Sequence, residues 1–459
     1  MNVAGRKVLV IGAARSGIAS AKFLATHGAT VVLNDSKPVE KWSADALALK
    51  SEGIGVLPGE LPGWLLDQTD LVVISPGVPA TAIPIRYAER AGAEVIGEVE
   101  LASRYLQGRI VAITGTNGKT TTTSLIGELL KNAGIPTQVG GNIGTPLISL
   151  VESSRKDGWT VVEMSSFQLE TIREFHPAVA VALNVTPNHM DRYESFTDYA
   201  AAKHRIFMNQ VPGDLAVLNA DDEIVSSWAA GLRAHVAKFS VKRELEEGLF
   251  LRGREIVSRN AARERVLLMS DEMKLRGLHN VENVLAALSA GLACGAAPES
   301  MRQTIRNFDP VEHRLELVAE IDGVKFYNDS KATSVDATLK ALEAFAGEGT
   351  VEDGKVVLIL GGRGKKAPYA PLSSLVSERV RKLILIGEDA DTIAAELGDF
   401  APNVRAKDMK DAVEQSFQAA EPGDTVLLAP ACASFDMFES FEDRGKVFKD
   451  EVRSLKSRD

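Results

Sequence analysis

Residues 110–122, Ile110-Val-Ala-Ile-Thr-Gly-Thr-Asn-Gly-Lys-Thr-Thr-Thr122, combine the features of a strand, a glycine-containing loop and the start of a helix. The apolar run predicts a buried strand, and residues 124–131 continue with a helix-forming composition. Such glycines let backbone N–H groups approach phosphate oxygens, and a helix N-terminus adds partial positive charge. Lys119 can neutralise a phosphate, and Thr120 can offer a hydroxyl to Mg²⁺. The stretch therefore predicts a site for ATP or GTP.

The loop is shorter than the general phosphate-loop pattern. That pattern has its first glycine where Ile113 stands, whereas the nearest glycine here, Gly115, comes two residues later. The alternative is an ordinary turn that contains Lys-Thr by chance. The strand before the loop and the helix after it favour the phosphate loop.

Length and charge limit the classes of function. A chain of 459 residues has room for about three domains of ~150 residues each. The net charge of −10 argues against nonspecific binding of nucleic acid. We find neither the apolar run of a signal peptide nor a stretch of about 18 apolar residues, so we expect a cytoplasmic protein that does not bind membranes. Cys294 and Cys432 belong to no metal or disulfide pattern and are predicted to be buried apolar residues.

The first block of the chain begins with a β-α-β pattern. Strands are predicted at residues 7–12 and 29–35, with a helix at 16–26 between them. Gly12-Ala-Ala-Arg-Ser-Gly17 matches the dinucleotide fingerprint except at Ala14, and Asp35 stands where that fingerprint places a ribose-binding acid. NAD, a different nucleotide, and close helix–sheet packing without a ligand all remain compatible with this pattern.

Two further strands complete the first block, at residues 70–75 and 94–97. The turn Pro76-Gly-Val-Pro79 follows the first of them, at the sheet edge where open α/β folds bind ligands. Strand breaking is the commoner role of such prolines.

The second block continues from the phosphate loop. Largely apolar strands at residues 160–164, 179–183 and 215–218, separated by helical segments, indicate a mostly parallel sheet. Residues 235–275 predict a small antiparallel addition, and residues 281–294 an apolar helix.

Several polar residues of this block are candidates for chemistry. Glu163 ends an apolar strand, where a carboxylate is costly unless it binds a cation or forms a salt bridge, so we assign it to Mg²⁺. His189, in a loop with Asp191 and Arg192, is a candidate ligand of a second Mg²⁺. Lys203 follows three alanines and could point into a cleft, although the composition of this segment alone indicates an ordinary helix lysine.

Two asparagines mark the start of the apolar helix. Asn280 and Asn283 lie three residues apart and share one helix face. They suit either helix capping or hydrogen bonding to an adenine.

The third block begins with a predicted hairpin at residues 314–327, followed by parallel strands at 356–360, 383–386 and 425–428. Residues 347–354 are predicted to form a polar surface loop. Polar turns are predicted at one sheet edge, with no ligand specified by their composition: His313-Arg314, Asn328-Asp-Ser-Lys-Ala-Thr333, Gly361-Gly-Arg-Gly-Lys-Lys366 and Pro430-Ala-Cys-Ala-Ser434.

Taken together, the motifs resemble the Mur ligase family, in the right order and over nearly the whole chain. The segments that carry the resemblance are Gly115 to Thr120, Glu163 to Glu170, Asn184 to Tyr193, His279 to Asn283, His313-Arg314, Asn328 to Thr333 and Pro430 to Arg444. The resemblance implies a three-domain α/β fold. Residues 1–97 would form a Rossmann-like UDP-binding domain, 98–310 a central P-loop ATPase with a mostly parallel sheet, and 311–459 a Rossmann-like domain that binds glutamate and closes over the site.

The resemblance also implies an activity, the ATP-dependent addition of D-glutamate to UDP-N-acetylmuramoyl-L-alanine through an acyl phosphate. The implied cofactors are ATP, two Mg²⁺ ions and CO₂ in the form of a lysine carbamate on Lys203. We also expect a monomer without nucleic-acid partners.

Residue roles are carried over at the matching positions. Catalytic roles fall on Lys119, Glu163, His189 and Lys203; metal ligation on Thr120, Glu163, His189 and carbamylated Lys203; and nucleotide contacts on Gly115, Thr116, Asn117, Gly118, Lys119, Thr120, Thr121, Asn280, Asn283, Arg314, Asp329 and Lys331. Uracil and ribose contacts fall on Arg15, Ser16, Asp35 and Ser36, diphosphate contacts on Ser75 and Gly77, the muramoyl contact on Asn142, and glutamate contacts on Thr333, Lys365, Ser434 and Phe441.

Two positions depart from the family pattern. Asn188 and Arg363 each stand where Asp is common, which removes one negative charge and reverses another beside Lys365. Both departures bear on how glutamate is bound, not on the type of reaction.

Two other functions share part of this pattern. Folylpolyglutamate synthase is similar in its ATPase core, but it generally lacks a UDP-binding first domain, so residues 7–97 argue against it. A nucleotide-binding module without catalysis would not need a two-metal site, so Glu163, His189 and Lys203 argue against that alternative.

Overall fold

The computed structural model describes residues 1–79, 81–142, 144–188, 190, 192–261, 263–275, 277–309, 312–345, 355–365 and 367–456. His189, Asp191, Lys366 and the predicted loop at 347–354 lie outside these residues. The described residues fold into two compact units: a first unit within 1–185, 193–270 and 282–305, and a second unit within 186–192, 271–281 and 306–459.

The first sheet is parallel, with strand order β3-β2-β1-β4-β5. Its strands are β1 Lys7–Ile11, β2 Thr30–Asp35, β3 Gly55–Pro58, β4 Leu71–Ile74 and β5 Glu94–Gly97, and its helices are α1 Arg15–Thr26, α2 Ala44–Ala48, α3 Gly63–Asp67, α4 Ile83–Arg90 and α5 Glu98–Ser103. The continuous apolar runs of β1 and β4 are buried, as the strands of a parallel sheet covered on both faces should be. The predicted strands of this block are confirmed.

The second sheet contains nine strands among the described residues, in the order β14-β13-β12-β11-β10-β9-β6-β8-β7. They are β6 Arg109–Thr114, β7 Thr137–Gly141, β8 Trp159–Glu163, β9 Val179–Ala182, β10 Leu215–Asn219, β11 His235–Ser240, β12 Gly248–Arg252, β13 Glu255–Asn260 and β14 Arg263–Met269. The helices of this region are α6 Lys119–Asn132, α7 Ser166–Leu169, α8 Phe196–His204, α9 Glu223–Ser227, α10 Leu278–Ala293 and α11 Pro298–Asn307.

The prediction of an antiparallel addition at residues 235–275 was partly wrong. Strands β11 and β12 continue the sheet in parallel, and antiparallel pairing begins only between β12 and β13. The reason lies before β11, because helix α9 provides the crossover that a parallel neighbour of β10 requires.

The third sheet lies in the second unit and has strand order β15-β16-β20-β17-β18-β19. Its strands are β15 Glu316–Ile321, β16 Val324–Asn328, β17 Val356–Gly361, β18 Val380–Ile386, β19 Asn403–Arg405 and β20 Thr425–Leu428, and its helices are α12 Val335–Glu343, α13 Ser373–Arg379, α14 Ala390–Leu397, α15 Met409–Ala419 and α16 Phe441–Lys456. The predicted β15–β16 hairpin turns at Asp322-Gly323, both with positive φ, which is the geometry of a two-residue hairpin loop. The remaining pairs are parallel.

None of the helices within the described residues combines the length and the apolar character that crossing a bilayer requires. Cys294 and Cys432 are both buried, as predicted.

Candidate functional site

A cavity of about 890 Å³ opens at the carboxyl edge of the first sheet. Its volume is in the range of small-molecule sites, and its position is the one that open α/β sheets use for ligands. Five of the residues predicted to bind the UDP part line this cavity, namely Ser16, Asp35, Ser36, Ser75 and Gly77.

Hydrogen bonds from backbone N–H groups hold the Asp35 carboxylate in the wall of this cavity. Its Oδ2 accepts from the N–H of Ala13 at 2.9 Å and its Oδ1 from the N–H of Lys37 at 3.0 Å. The glycines of the same loop serve close packing, since a Cβ on Gly17 would lie 1.8 Å from the carbonyl oxygen of Gly12. The sequence pattern here therefore reflects both a cavity and tight helix–sheet contact.

Two residues predicted for the same substrate lie elsewhere. Arg15 lines a separate cavity of about 470 Å³ beside α1, because consecutive residues of a helix point about 100° apart. Asn142 donates from Nδ2 to Oε1 of Glu163 at 2.9 Å. Arg15 therefore does not line the cavity that Ser16 lines, and its contact with uracil or ribose stays a prediction.

The phosphate loop, Gly115 to Gly118, connects β6 to α6 as predicted. Gly118 has φ +82°, and a Cβ there would lie 2.2 Å from Oδ1 of Asn283. The Lys119 ammonium donates to the carbonyl oxygens of Gly115 at 2.9 Å and Thr116 at 2.8 Å. Lys119 is therefore held over the loop at the start of the helix.

The residues that hold this loop in place were not predicted. Asn184, just past β9, accepts from the N–H of Thr116 through its carbonyl at 2.9 Å and from the N–H of Asn117 through Oδ1 at 2.8 Å. The hydroxyls of Tyr199 and Thr116 lie 3.1 Å apart in a hydrogen bond. A polar residue directly after a buried strand was the available signal for Asn184.

Lys203 is buried against the phosphate loop. Its side chain is 2 % exposed, and Nζ donates to the carbonyl of Gly115 at 2.7 Å, the same oxygen that accepts from Lys119. Burial, and then the nearby Lys119 ammonium, lower the pKa of Lys203 well below its ordinary value, while Glu163 opposes this shift. These surroundings therefore disfavour the charged form of the amine.

Glu163 and Thr120 are oxygen donors buried near the same loop. Glu163 ends β8 and pairs in register with Ile113 of β6, two residues before the phosphate loop. Its side chain is 3 % exposed, so a cation would offset the cost of burying its charge. Carboxylate and hydroxyl oxygens are the ligands that Mg²⁺ prefers, so these two residues fit that ion.

The two asparagines of α10 are both buried near the start of the helix. The helix begins at Leu278, three residues earlier than predicted, so Asn280 and Asn283 both lie in its first turns. Oδ1 of Asn283 accepts from the Thr122 hydroxyl at 3.2 Å, which ties α10 to the helix after the phosphate loop.

In the second unit, Asp329 follows β16 and is buried. Burial raises the pKa of Asp329 to about 7, an effect that the charges of Arg314 and Lys331 oppose. The Lys331 ammonium lies 5.3 Å from the centre of the Phe441 ring, so the structure brings these predicted residues together. Thr333 continues the same turn, its N–H donating to the carbonyl of Lys331 at 2.8 Å.

Two more loops of the second unit are joined by their backbones. Arg363 and Ala433 exchange N–H to carbonyl hydrogen bonds of 3.0 Å in both directions. This pairing joins the loop that carries Lys365 to the loop that carries Ser434. The guanidinium of Arg363 binds both carboxylate oxygens of Glu388, at 3.0 and 2.9 Å, so the charge that departs from the family pattern is paired locally.

Three protein-family models together match most of the chain. Residues 6–97 match the Mur ligase MurD-like N-terminal domain, 113–291 the Mur ligase middle domain, and 313–432 the Mur ligase glutamate ligase domain.

The chain is also similar to curated proteins along its full length. It is 48% identical over 455 residues to the UDP-N-acetylmuramoylalanine–D-glutamate ligase of Koribacter versatilis, covering 99% of both chains. It is 47% identical to the enzyme of the same name from Solibacter usitatus, covering 100% of both.

Solved structures share the fold at low identity. The UDP-N-acetylmuramate-alanine ligase MurC of Thermotoga maritima has a TM-score of 0.60 at 19% identity, with 98% of this chain and 100% of that chain covered. MurF of Acinetobacter baumannii has a TM-score of 0.61 at 16% identity, with 98% and 91% covered.

Proposed function

Because the chain belongs to the Mur ligase family, we propose that it joins D-glutamate to the carboxyl group of UDP-N-acetylmuramoyl-L-alanine, with cleavage of ATP to ADP and phosphate. This reaction belongs to the synthesis of peptidoglycan precursors. The observation that carries the proposal is the 48% identity to a curated ligase of that name over 99% of both chains.

The cavity of the first sheet supports binding of the uridine diphosphate part. Asp35 and Ser36 lie at the end of β2, where a ribose is held in nucleotide-binding folds of this type, and Ser75 and Gly77 lie at the end of β4. The three family matches support domain boundaries at residues 1–97, 98–310 and 311–459.

The chemistry follows from what amide formation needs. A carboxylate is a poor acyl donor, so its oxygen first attacks the γ-phosphorus of ATP, and ADP leaves. The amine of glutamate then attacks the acyl phosphate, the tetrahedral intermediate expels phosphate, and the amine loses a proton. Lys119 and the N-terminus of α6 stabilise negative charge on the transferred phosphoryl group.

Thr120 and Glu163 would hold Mg²⁺, together with Lys203 in its carbamylated form, and His189 is the predicted ligand of a second ion. Bound Mg²⁺ would neutralise the phosphate oxygens during transfer. Asn142 orients the Glu163 carboxylate by donating to its Oε1 at 2.9 Å.

The surroundings of Lys203 support carbamylation. Two ammonium groups on the carbonyl of Gly115 repel each other, so a neutral amine at position 203 is favoured. A neutral amine can attack CO₂, forming an N–C bond and releasing a proton. The resulting carboxylate would attract Lys119 where the ammonium repelled it.

We assign glutamate to the second unit, with Thr333, Lys365, Ser434 and Phe441 as its contacts. The pairing of the Lys365 and Ser434 loops supports this assignment, because it brings polar side chains from two loops close together, where they can orient an amino-acid substrate.

Substrate dependence of ADP release tests the function. Release of ADP should require ATP, UDP-N-acetylmuramoyl-L-alanine and D-glutamate together, and should be far slower with L-glutamate. Equal rates with the two enantiomers would exclude the stereochemical assignment. Turnover of a folate substrate with L-glutamate would instead support a folylpolyglutamate synthase-like activity.

A further inference from the structure

A hydrogen-bonded chain of three side chains lies behind the paired loops of the second unit. The Tyr369 hydroxyl lies 2.7 Å from Oδ2 of Asp389 and 3.0 Å from Sγ of Cys432. Tyr369 and Cys432 are both buried, at 3 % and 0 % exposure. A set of linked hydrogen bonds stabilises a protein more in its interior than at its surface, because the low local dielectric strengthens each bond.

The direction of each bond follows from the chemistry of the groups. Burial raises the pKa of the Cys432 thiol to about 11, and burial also raises the pKa of the Tyr369 hydroxyl, so both keep their protons at neutral pH. The Cys432 S–H then donates to the Tyr369 oxygen, and the Tyr369 O–H donates to the Asp389 carboxylate. Tyr369 is the middle member, since its hydroxyl is the only one of the three groups bonded to both others.

The two outer members of this hydrogen-bonded set adjoin the loops that we assign to glutamate. Cys432 belongs to the Ser434 loop, and Asp389 contacts the Lys365 loop. Cys432 lies two residues before Ser434. A Cβ on Gly364 would lie 1.8 Å from Oδ2 of Asp389, so this carboxylate packs directly on the loop residue before Lys365. The N–H of Asp389 also donates to the carbonyl of Gly362 at 3.0 Å.

We propose that Tyr369 is a positioning residue for the glutamate site, whose hydroxyl fixes the distance between the Lys365 loop and the Ser434 loop. The inference rests on the proposed function. The two partners of the Tyr369 hydroxyl lie in or against the loops of Lys365 and Ser434, which we assign to glutamate, so loss of the hydroxyl should affect glutamate more than ATP.

The test is a steady-state comparison of three KM values in purified full-length variants. Tyr369→Phe removes only the hydroxyl and should raise the KM for D-glutamate about fivefold, the size expected for one buried hydrogen bond, with the KM values for ATP and the UDP substrate unchanged. Tyr87→Phe is the control for loss of a tyrosine hydroxyl, because it removes an exposed bond, from Tyr87 to Asp67 at 2.8 Å, in the first unit. It should leave all three KM values unchanged.

Variants at Cys432 provide a test that does not depend on Tyr369→Phe. Cys432→Ser keeps a hydrogen-bond donor and should resemble the wild type, whereas Cys432→Ala should raise the KM for D-glutamate. The double variant Tyr369→Phe/Cys432→Ala should be no worse than either single variant, because both break the same chain.

A Tyr369→Phe protein with lower stability but an unchanged KM for D-glutamate would overturn the proposal, and so would an equal rise in all three KM values. If Tyr369→Phe does not fold, equal KM values in Cys432→Ser and Cys432→Ala would overturn it. Failure of the proposed function is distinguishable, because a wild-type protein that does not turn over D-glutamate reveals it before any variant is compared.

Discussion

The Lys203 ammonium shares one carbonyl acceptor with Lys119, which makes a cation at position 203 unfavourable and a carboxylate favourable. Removing this side chain should therefore remove a metal ligand, not only a charge. We expect Lys203→Ala to lose nearly all ligase activity, by about 10²-fold or more, and to be partly restored by a short carboxylic acid such as acetate. ADP release with all three substrates measures both effects.

Lys131→Ala is the matched control for Lys203. Lys131 is an exposed lysine of α6 that pairs with Glu128 at 3.3 Å, so its loss should leave activity unchanged and acetate without effect. Full turnover by Lys203→Ala would exclude the carbamate assignment.

Glu98, the first residue of α5, predicts a pH dependence of stability. Its Oε1 accepts from the N–H of Ile148 at 2.7 Å, and burial raises the pKa of Glu98 from 4.5 to about 7, partly opposed by the N–H groups of Ile148 and Leu147. At pH values between these two pKa values, Glu98 keeps its proton in the folded protein and has lost it in the unfolded protein. The stability contribution therefore falls as pH rises through this window and levels off above it.

Glu98→Gln mimics the protonated acid and should remove this dependence. We expect it to raise the free energy of unfolding at pH 8 by on the order of 2 kcal/mol and to have a much smaller effect at pH 5. Chemical denaturation at both pH values measures the difference, with Glu128→Gln on the exposed face of α6 as the control. Equal effects of Glu98→Gln at the two pH values would contradict the assignment.

At the residue scale, the sequence identifies candidate site residues better than it identifies the residues that contact them. Glu163 and Lys119 could be identified because they follow apolar strands or glycines, and the structure places both at the expected loop edge. Asn184 could not be assigned to the phosphate loop, since its partner Asn117 is 67 residues away and a single sequence carries no record of that contact. The cavity that Arg15 lines could not be predicted, because sequence adjacency to Ser16 does not fix the direction of a helical side chain.

At the scale of elements, the turn between β6 and α6 depends on Gly118. An alanine there would combine a positive φ with a contact of 2.2 Å to Asn283, so the loop or α10 would have to move. We expect Gly118→Ala to lower kcat/KM for ATP by about tenfold or more, equivalent to ~1.4 kcal/mol. Steady-state kinetics with ATP as the varied substrate measures the loss.

Gly134, which follows the other end of α6, is the matched control for Gly118. It has φ +75°, but a Cβ there would meet no heavy atom within 4 Å. Gly134→Ala should therefore cost only the backbone strain, about 1 kcal/mol of stability, and leave the kinetics for ATP unchanged. If both variants lowered kcat/KM equally, the contact with Asn283 would not be the cause.

Some strands can be predicted from the sequence and others cannot. Long apolar strands such as β1, β6 and β17 were predicted because burial on both faces leaves a continuous apolar run. Strands β3 and β19 were missed, since they are short edge strands with few buried residues. The predicted antiparallel pairing of β11 was wrong, because strand composition does not encode parallel or antiparallel pairing.

At the scale of the whole molecule, the cavity of the first sheet and the phosphate loop belong to the same compact unit. A ligand at either position should therefore stabilise the same folded unit, because anything that binds only the native state shifts its unfolding equilibrium. The residues that we assign to the two ligands differ, so their contributions should add.

Thermal unfolding with UDP, with ATP and Mg²⁺, and with both should show this addition. Each ligand at about 100 times its Kd adds ~2.7 kcal/mol, enough to raise the Tm by several degrees. Asp35→Ala should abolish the shift caused by UDP and keep the shift caused by ATP, because Asp35 holds the cavity loop through the N–H groups of Ala13 and Lys37. Lys119→Ala should do the reverse. A UDP shift that survives Asp35→Ala would contradict the assignment of that cavity, whereas loss of both shifts in either folded variant would mean that the two positions are not independent sites.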